Sequence, residues 1–263
     1  MIQAEFAYRA KSILETDDNV IGLAAGGSWL TQQVDEFSDL DLILVTKEKI
    51  SGDKGRMIAY AKRLGDFLSG FTGEHVGETR VLICLYDNPL LHVDIKFLTL
   101  EELSPRIETP VILLDKEGLI QSFFDKTGSA FPHPDYQWLE DRFWVWVHYV
   151  LLKIGRGEYF EALDSFGFLR MIVFGPLLHI RNGNLPRGVR RVEMELSSED
   201  LSYLQSTIPV YTRKSLLSCL RNSVQLYRQL RSALFDDTVQ LQNETEKQVM
   251  HYFDKMIIIS NLQ

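Results

Sequence analysis

Gly26-Gly27-Ser28 is followed, ten residues beyond Ser28, by Ser38-Asp39-Leu40-Asp41, which opens the apolar run Leu42-Ile43-Leu44-Val45. No other feature constrains this chain as much. The segment from Gly26 to Val45 reads as a turn, a short helix and a strand. Gly26 and Gly27 let the backbone approach a ligand closely and take dihedrals closed to other residues. Ser28 adds a hydroxyl at the expected start of the helix, where N–H groups favour phosphate. Asp39 and Asp41 are two apart, so on a strand they share a face, roughly 7 Å from each other. The residues beyond Asp41 are apolar on both faces, the pattern of a buried central strand charged only at its tip.

Two carboxylates in that arrangement suit a hard divalent cation. Mg²⁺ takes one or two carboxylates and completes its shell with phosphate oxygens and water, so no all-protein cage is required. They can share one ion or hold two roughly 4 Å apart. A third carboxylate comes from Asp94. Arg80–Tyr86 and Leu91–Leu98 read as strands joined by the turn signal Asp87-Asn88-Pro89. In the second strand Leu91, Val93, Ile95 and Phe97 share one face, and His92, Asp94, Lys96 and Leu98 the other. That alternation fits a strand bordering a solvated cleft, with Asp94 as a metal ligand or as the base that takes a hydroxyl proton. Taken singly, a Gly-Gly-Ser is a common turn and an Asp-x-Asp a common solvated strand entrance. Their combination is the informative signal.

Gly27-Ser28 with Asp39-Leu40-Asp41 resembles the signature of the polymerase-β-like nucleotidyltransferase superfamily. The stretch Leu151–Ile172, with Arg156-Gly157-Glu158-Tyr159 between two long helices, resembles the helical region of antibiotic nucleotidyltransferases, the lincosamide B type in particular and the aminoglycoside adenylyltransferases as well. The likeness covers most of the chain, while the far C-terminus matches only in helical character. It implies an α+β fold: an N-terminal mixed sheet flanked by helices, then a C-terminal all-α bundle for acceptor binding or dimerisation. It further implies Mg²⁺ as cofactor, two ions in number, and transfer of a nucleoside monophosphate, AMP from ATP, to a hydroxyl of a small antibiotic. The site set is then Gly27, Ser28, Asp39, Asp41 and Lys153 for the nucleotide, with Asp39, Asp41 and Asp94 for metal and catalysis. The Asp94 position is Glu in some relatives. A homodimer is compatible with the resemblance.

Composition narrows the function classes. The chain of 263 residues is 45% hydrophobic and 24% charged, an ordinary globular balance able to fill one large or two modest domains. Its net charge of −8, with no Lys/Arg block, argues against a nucleic-acid partner, which would call for a basic track. The nearest approach, Arg187, Arg190 and Arg191 within Arg181–Arg191, reads as a surface loop or as a triphosphate or partner contact. No run approaches ~18 apolar residues, and the N-terminus carries no signal-peptide pattern, so a cytoplasmic chain without a membrane partner is expected. Cys84 and Cys219 sit in apolar patterns as buried free thiols. The six histidines show no metal-ligand spacing.

Periodicity places a boundary near residue 130, with domains 1–130 and 131–263 and a Pro-containing linker over Gly128–Pro134. Before it come a helix over 4–16, strands over 20–25 and 39–46, a helix over 54–70, the two strands above, and an edge strand over Pro110–Leu114. After it Leu139, Phe143, Trp146, Val147, Val150, Leu151 and Ile154 recur at helical spacing, and Leu163, Phe166, Phe174, Leu177 and Leu178 form a second stripe. Gly155-Arg156-Gly157 breaks the two helices apart, and later helices span 197–207, 213–235 and 244–258. Trp138, Trp144 and Trp146 read as core aromatics or as a stacking platform. Lys153 is a triphosphate ligand or a solvated lysine at a helix end. Glu158 and Glu161 either favour the dipole of the next helix or orient the acceptor. Two other functions share these motifs, a protein-modifying nucleotidyltransferase of the toxin–antitoxin kind and a non-catalytic nucleotide sensor.

Overall fold

A computed structural model describes Met1–Asn261. The chain falls into two compact units, Met1–Phe131 and the part from Pro132 onward. The first unit is built on six strands: β1 (Val20–Ala25), β2 (Leu40–Thr46), β3 (Asp66–Gly73), β4 (Glu78–Asp87), β5 (Leu91–Leu98) and β6 (Val111–Asp115). They form one mixed sheet in the order β3-β4-β5-β2-β1-β6, with β2 and β5 parallel and the other neighbours antiparallel. β2 is therefore central, as its apolar run demands, and β6 is an edge, as its leading proline favours.

The two faces of this sheet are covered differently, and that difference makes the site. Helices α1 (Ile2–Glu15) and α2 (Lys54–Leu64) lay Phe6, Ala7, Ala10, Leu14, Met57 and Ala61 on one face, against Leu40, Leu42, Leu44, Leu82, Tyr86, Val93 and Ile95. On the other face α3 (Leu119–Lys126) places Ile120 and Phe124 over Ile21, Val45 and Leu98, which covers the end of β2 remote from the aspartates. Asp41 and Asp94 stand on this second face at the opposite end, half-buried.

The second unit is helical: α4 (Tyr136–Arg156), α5 (Tyr159–Leu169), a π-helical turn over Arg170–Phe174, α6 (Gly175–Arg181), α7 (Val192–Glu195), α8 (Ser198–Gln205), α9 (Arg213–Leu234) and α10 (Asn243–Asn261). Asp135 caps α4 by accepting the Trp138 N–H, and Gly157, at φ 79°, ends it in the left-handed conformation open to glycine. Phe143, Trp144, Phe166, Phe174, Leu220 and Tyr227 form the centre of its core. Trp144 is thus a core residue. Trp138 and Trp146 pack edge-to-face at 5.5 Å nearer the surface.

Two expectations need correction. The helix expected over 54–70 stops at Leu64, and Asp66–Gly73 is edge strand β3, because Gly65 ends the helix and the Phe-Leu-Ser-Gly-Phe-Thr stretch pairs along β4. No α-helix follows Ser28: Gly27–Trp29 is a single 3₁₀ turn, and Gln32 takes a left-handed backbone that prevents a longer helix. Separately, α5, the π turn and α6 run on as one helical stretch of 23 residues, Tyr159–Arg181, whose most apolar window has mean hydropathy 1.3 and which is long and apolar enough to cross a membrane by length and composition. Half of its most apolar window is buried inside the unit, with Phe166, Leu169, Val173, Leu177 and Leu178 facing the core.

Candidate active site

The Gly-Ser turn and the first motif strand are physically joined. The Gly26 N–H donates to the Asp41 backbone carbonyl at 2.9 Å, so the turn leaves β1 in line with the tip of β2. Gly27 sits at φ 56°, and a Cβ there would lie 2.0 Å from Asp41 Oδ2. Both reasons exclude any side chain: the conformation is left-handed, and the space belongs to the Asp41 carboxylate. Ser28 follows in the 3₁₀ turn, half-buried.

Parallel pairing then brings in the third acid. Asp41 is the register partner of Asp94, so two carboxylates lie side by side on adjacent strands on the same sheet face. Burial pushes the Asp94 carboxyl above its ordinary range; the charge of Asp39 adds to the rise, and His92 partly offsets it. His92 Nε2 lies 2.8 Å from Asp94 Oδ1. Asp39 precedes β2 by one residue, at the end of the loop rather than inside the strand. Asp39, Asp41 and Asp94 are thus gathered at one end of the sheet.

Two groups that support this end carry no motif. Gln3, buried in α1, donates from Nε2 to the carbonyls of Asp35 at 2.9 Å and Ser38 at 2.8 Å, which pins the loop delivering Asp39. Within that loop Asp35 Oδ1 accepts from the Phe37 N–H and the Ser38 hydroxyl. His92, by its bond to Asp94, is the other. Its place in the alternation was visible, but its partner was not. Further along the same face Lys96 pairs with Glu78 at 2.8 Å, and Arg80 with the same carboxylate at 2.6 Å, so both cations are committed to one acid.

The donor set fits Mg²⁺. Asp41 and Asp94 supply hard oxygens from adjacent positions, and Asp39 is near enough to act on Asp94 electrostatically. Among the described residues no group of three or more His, Cys, Asp or Glu side chains is placed to hold a metal ion by itself. Cys84 and Cys219 are buried free thiols, and burial pushes Cys84 up to about 12. Lys153 belongs to the helical unit. Its ammonium bonds Glu158 at 2.8 Å and Glu161 at 2.9 Å and lies over the Tyr149 ring. Glu158 and Glu161 are therefore partners of that lysine.

No family model matches the chain, and no curated protein matches it. Several solved structures are similar to it, three of them as follows. An aminoglycoside 6-adenyltransferase from Bacillus subtilis shares 16% identity at a TM-score of 0.40, over 98% of this chain and 97% of its own. A spectinomycin adenyltransferase from Enterococcus faecialis, solved with ATP and spectinomycin, shares 14% at 0.30, over 96% and 98%. A nucleotidyltransferase-like protein from Exiguobacterium sibiricum shares 11% at 0.31, over 87% and 72%. At these scores no assignment rests on the likenesses, and the functional conclusion stands on the geometry of the turn and the carboxylates.

Proposed function

We propose that this chain is a Mg²⁺-dependent nucleotidyltransferase that moves a nucleoside monophosphate, AMP from ATP, to a hydroxyl of a small antibiotic-like molecule and releases pyrophosphate. The observation that carries the reading is the junction of the Gly26–Ser28 turn with Asp41 and, across the parallel pair, with Asp94. The amides and hydroxyl of the turn bind the β and γ phosphates. Asp39 and Asp41 hold the metal, and Asp94 completes the set. When bound, Mg²⁺ neutralises phosphate charge and polarises the α-phosphorus. Asp94, whose burial favours its holding a proton, takes the proton of the acceptor hydroxyl as that oxygen attacks the α-phosphorus in line. One O–P bond forms, the bridging α–β P–O bond breaks, and pyrophosphate leaves. Lys153 is assigned no step, since it is already paired with two carboxylates.

The test is pyrophosphate release with Mg²⁺ and each nucleoside triphosphate, across aminoglycosides, spectinomycin and lincosamides. Acceptor-dependent release is expected, and Asp41→Asn should lower it about a thousandfold while circular dichroism stays native. A fully active Asp41→Asn protein would overturn the site. ATP binding without release for any acceptor would leave a sensor instead, and label on a protein band would identify a protein acceptor.

A further inference from the structure

The row that contains the two paired acids does not stop at them. Asp41 pairs with Asp94, Asp94 with Ile83 of β4, and Ile83 with Phe71 of β3. Four side chains therefore stand in line across four strands on the face that α3 leaves uncovered at this end: two carboxylates, then two apolar groups. Strand spacing puts Phe71 roughly 10 Å from Asp94 along the row. One row over, His92 pairs with Leu85 and Leu85 with Ser69. Phe71 is 49% exposed and Leu85 36%, and Ile83 is half-buried. The charged groups beyond them, Lys96 and Arg80, are both held on Glu78, so the side chains of the shelf beside Asp94 are themselves apolar.

We infer that this shelf of Phe71, Ile83 and Leu85 is the acceptor's seat, and that the acceptor is an amphipathic hydroxylated molecule carrying a hydrocarbon flank. The inference rests on the proposed function, which places the nucleotide's phosphates at the other end of the row, against Gly26–Ser28. An acceptor arriving from the β3 edge meets Asp94 with its hydroxyl and the shelf with its flank. A wholly polar polycation would gain nothing from the exposed Phe71 and Leu85. A molecule with an alkyl or aryl group next to its hydroxylated ring would cover both.

An alkyl glucoside series, methyl to octyl and below micelle formation, tests this, since the hydroxyls stay constant while the flank grows. Binding by calorimetry is measured beside pyrophosphate release with ATP and Mg²⁺. The expected result is binding that tightens roughly twofold per methylene, half the gain of full burial, and that loses the gradient in Phe71→Ser and Leu85→Ser. In an active enzyme the same variants raise the acceptor KM with the ATP KM and kcat unchanged. A gradient in binding without pyrophosphate release supports the shelf as the seat of a hydrocarbon flank and shows that these glucosides lack the hydroxyl that is modified. Release with no gradient, or a gradient that survives both substitutions, overturns the shelf and leaves transfer standing. Absence of both also overturns it. A mass in light scattering that halves in Phe71→Ser, with no glucoside gradient, would show that a second copy of this chain covers the face, and would overturn the inference too.

Discussion

Gly27 shows how far one residue governs the site. Its backbone is left-handed and its missing side chain is the space the Asp41 carboxylate fills. Gly27→Ala should therefore cost about 1 kcal/mol of stability from the strained φ and more than a hundredfold in turnover from the displaced Asp41, checked by urea unfolding and pyrophosphate release. A second residue-scale effect is Glu78. The Arg80 hydrogen bond holds its carboxyl down at about 2, against burial and with help from Lys96, from an ordinary value of 4.5. A depressed carboxylate stabilises the fold above its unfolded value and loses that contribution as pH falls through the folded one. Glu78→Gln should thus cost about 1–2 kcal/mol at pH 7, after allowance for solvent screening, and the deficit should vanish between pH 4.5 and about 2 in urea titrations. At this scale Gly27, Ser28, Asp39, Asp41 and Asp94 are legible as a combination at that spacing, each being common by itself. Gln3 and His92 are not. A buried glutamine and an exposed histidine carry no local signal, and their roles exist only through partners 35 and two residues away.

At the scale of elements, the helical unit is tied by one buried acid. Glu140 of α4 is fully buried and accepts from Tyr227 Oη at 2.6 Å, Arg231 Nη1 at 3.1 Å, Trp144 Nε1 at 3.3 Å and the Gln242 N–H at 3.0 Å. It thereby joins α4, α9 and the approach to α10. Glu140→Gln keeps the shape but weakens the charge-assisted bonds and points an amide at other donors, so a loss of about 3 kcal/mol is expected in chemical denaturation. Strand β3 is the element that pattern reading mistakes for helix. Its burial alternates poorly because it is an edge with bulges between Phe67 and Ser69 and between Thr72 and Gly73, and its only strand partner is β4. The local signal against a continuing helix is Gly65, which ends α2. The strand exists because β4 offers it a ladder.

For the whole molecule, each unit has its own core. The buried cluster of the helical unit draws on residues from Leu139 to Met256, and those of the sheet unit on residues from Phe6 to Phe124. Residues 132–263 expressed alone should therefore keep helical circular dichroism and a cooperative thermal transition, and a non-cooperative melt would show that this core is insufficient by itself. The proposed boundary at 130–131 lies beside the division after Phe131. The expectation rests on the hydrophobic period, which changes there from two to three-and-four, across a segment with Pro132 and Pro134.

The sequence by itself determined the chemistry available at the site: a side-chain-free turn, a hydroxyl, and three carboxylates, two on strands and one just before a strand, together with a helical second half. These follow from residue type and short-range period, which are local properties. Tertiary structure alone decided which of those groups meet. Asp41 and Asp94 lie 53 residues apart in the chain and become neighbours only because β2 and β5 pair in parallel and in that register. The same register sets Ile83 and Phe71 beside them and turns an ordinary edge hairpin into the flank of the site. Pairing between distant strands is a property of the whole sheet, and a shift of one residue would have turned every one of these side chains to the opposite face.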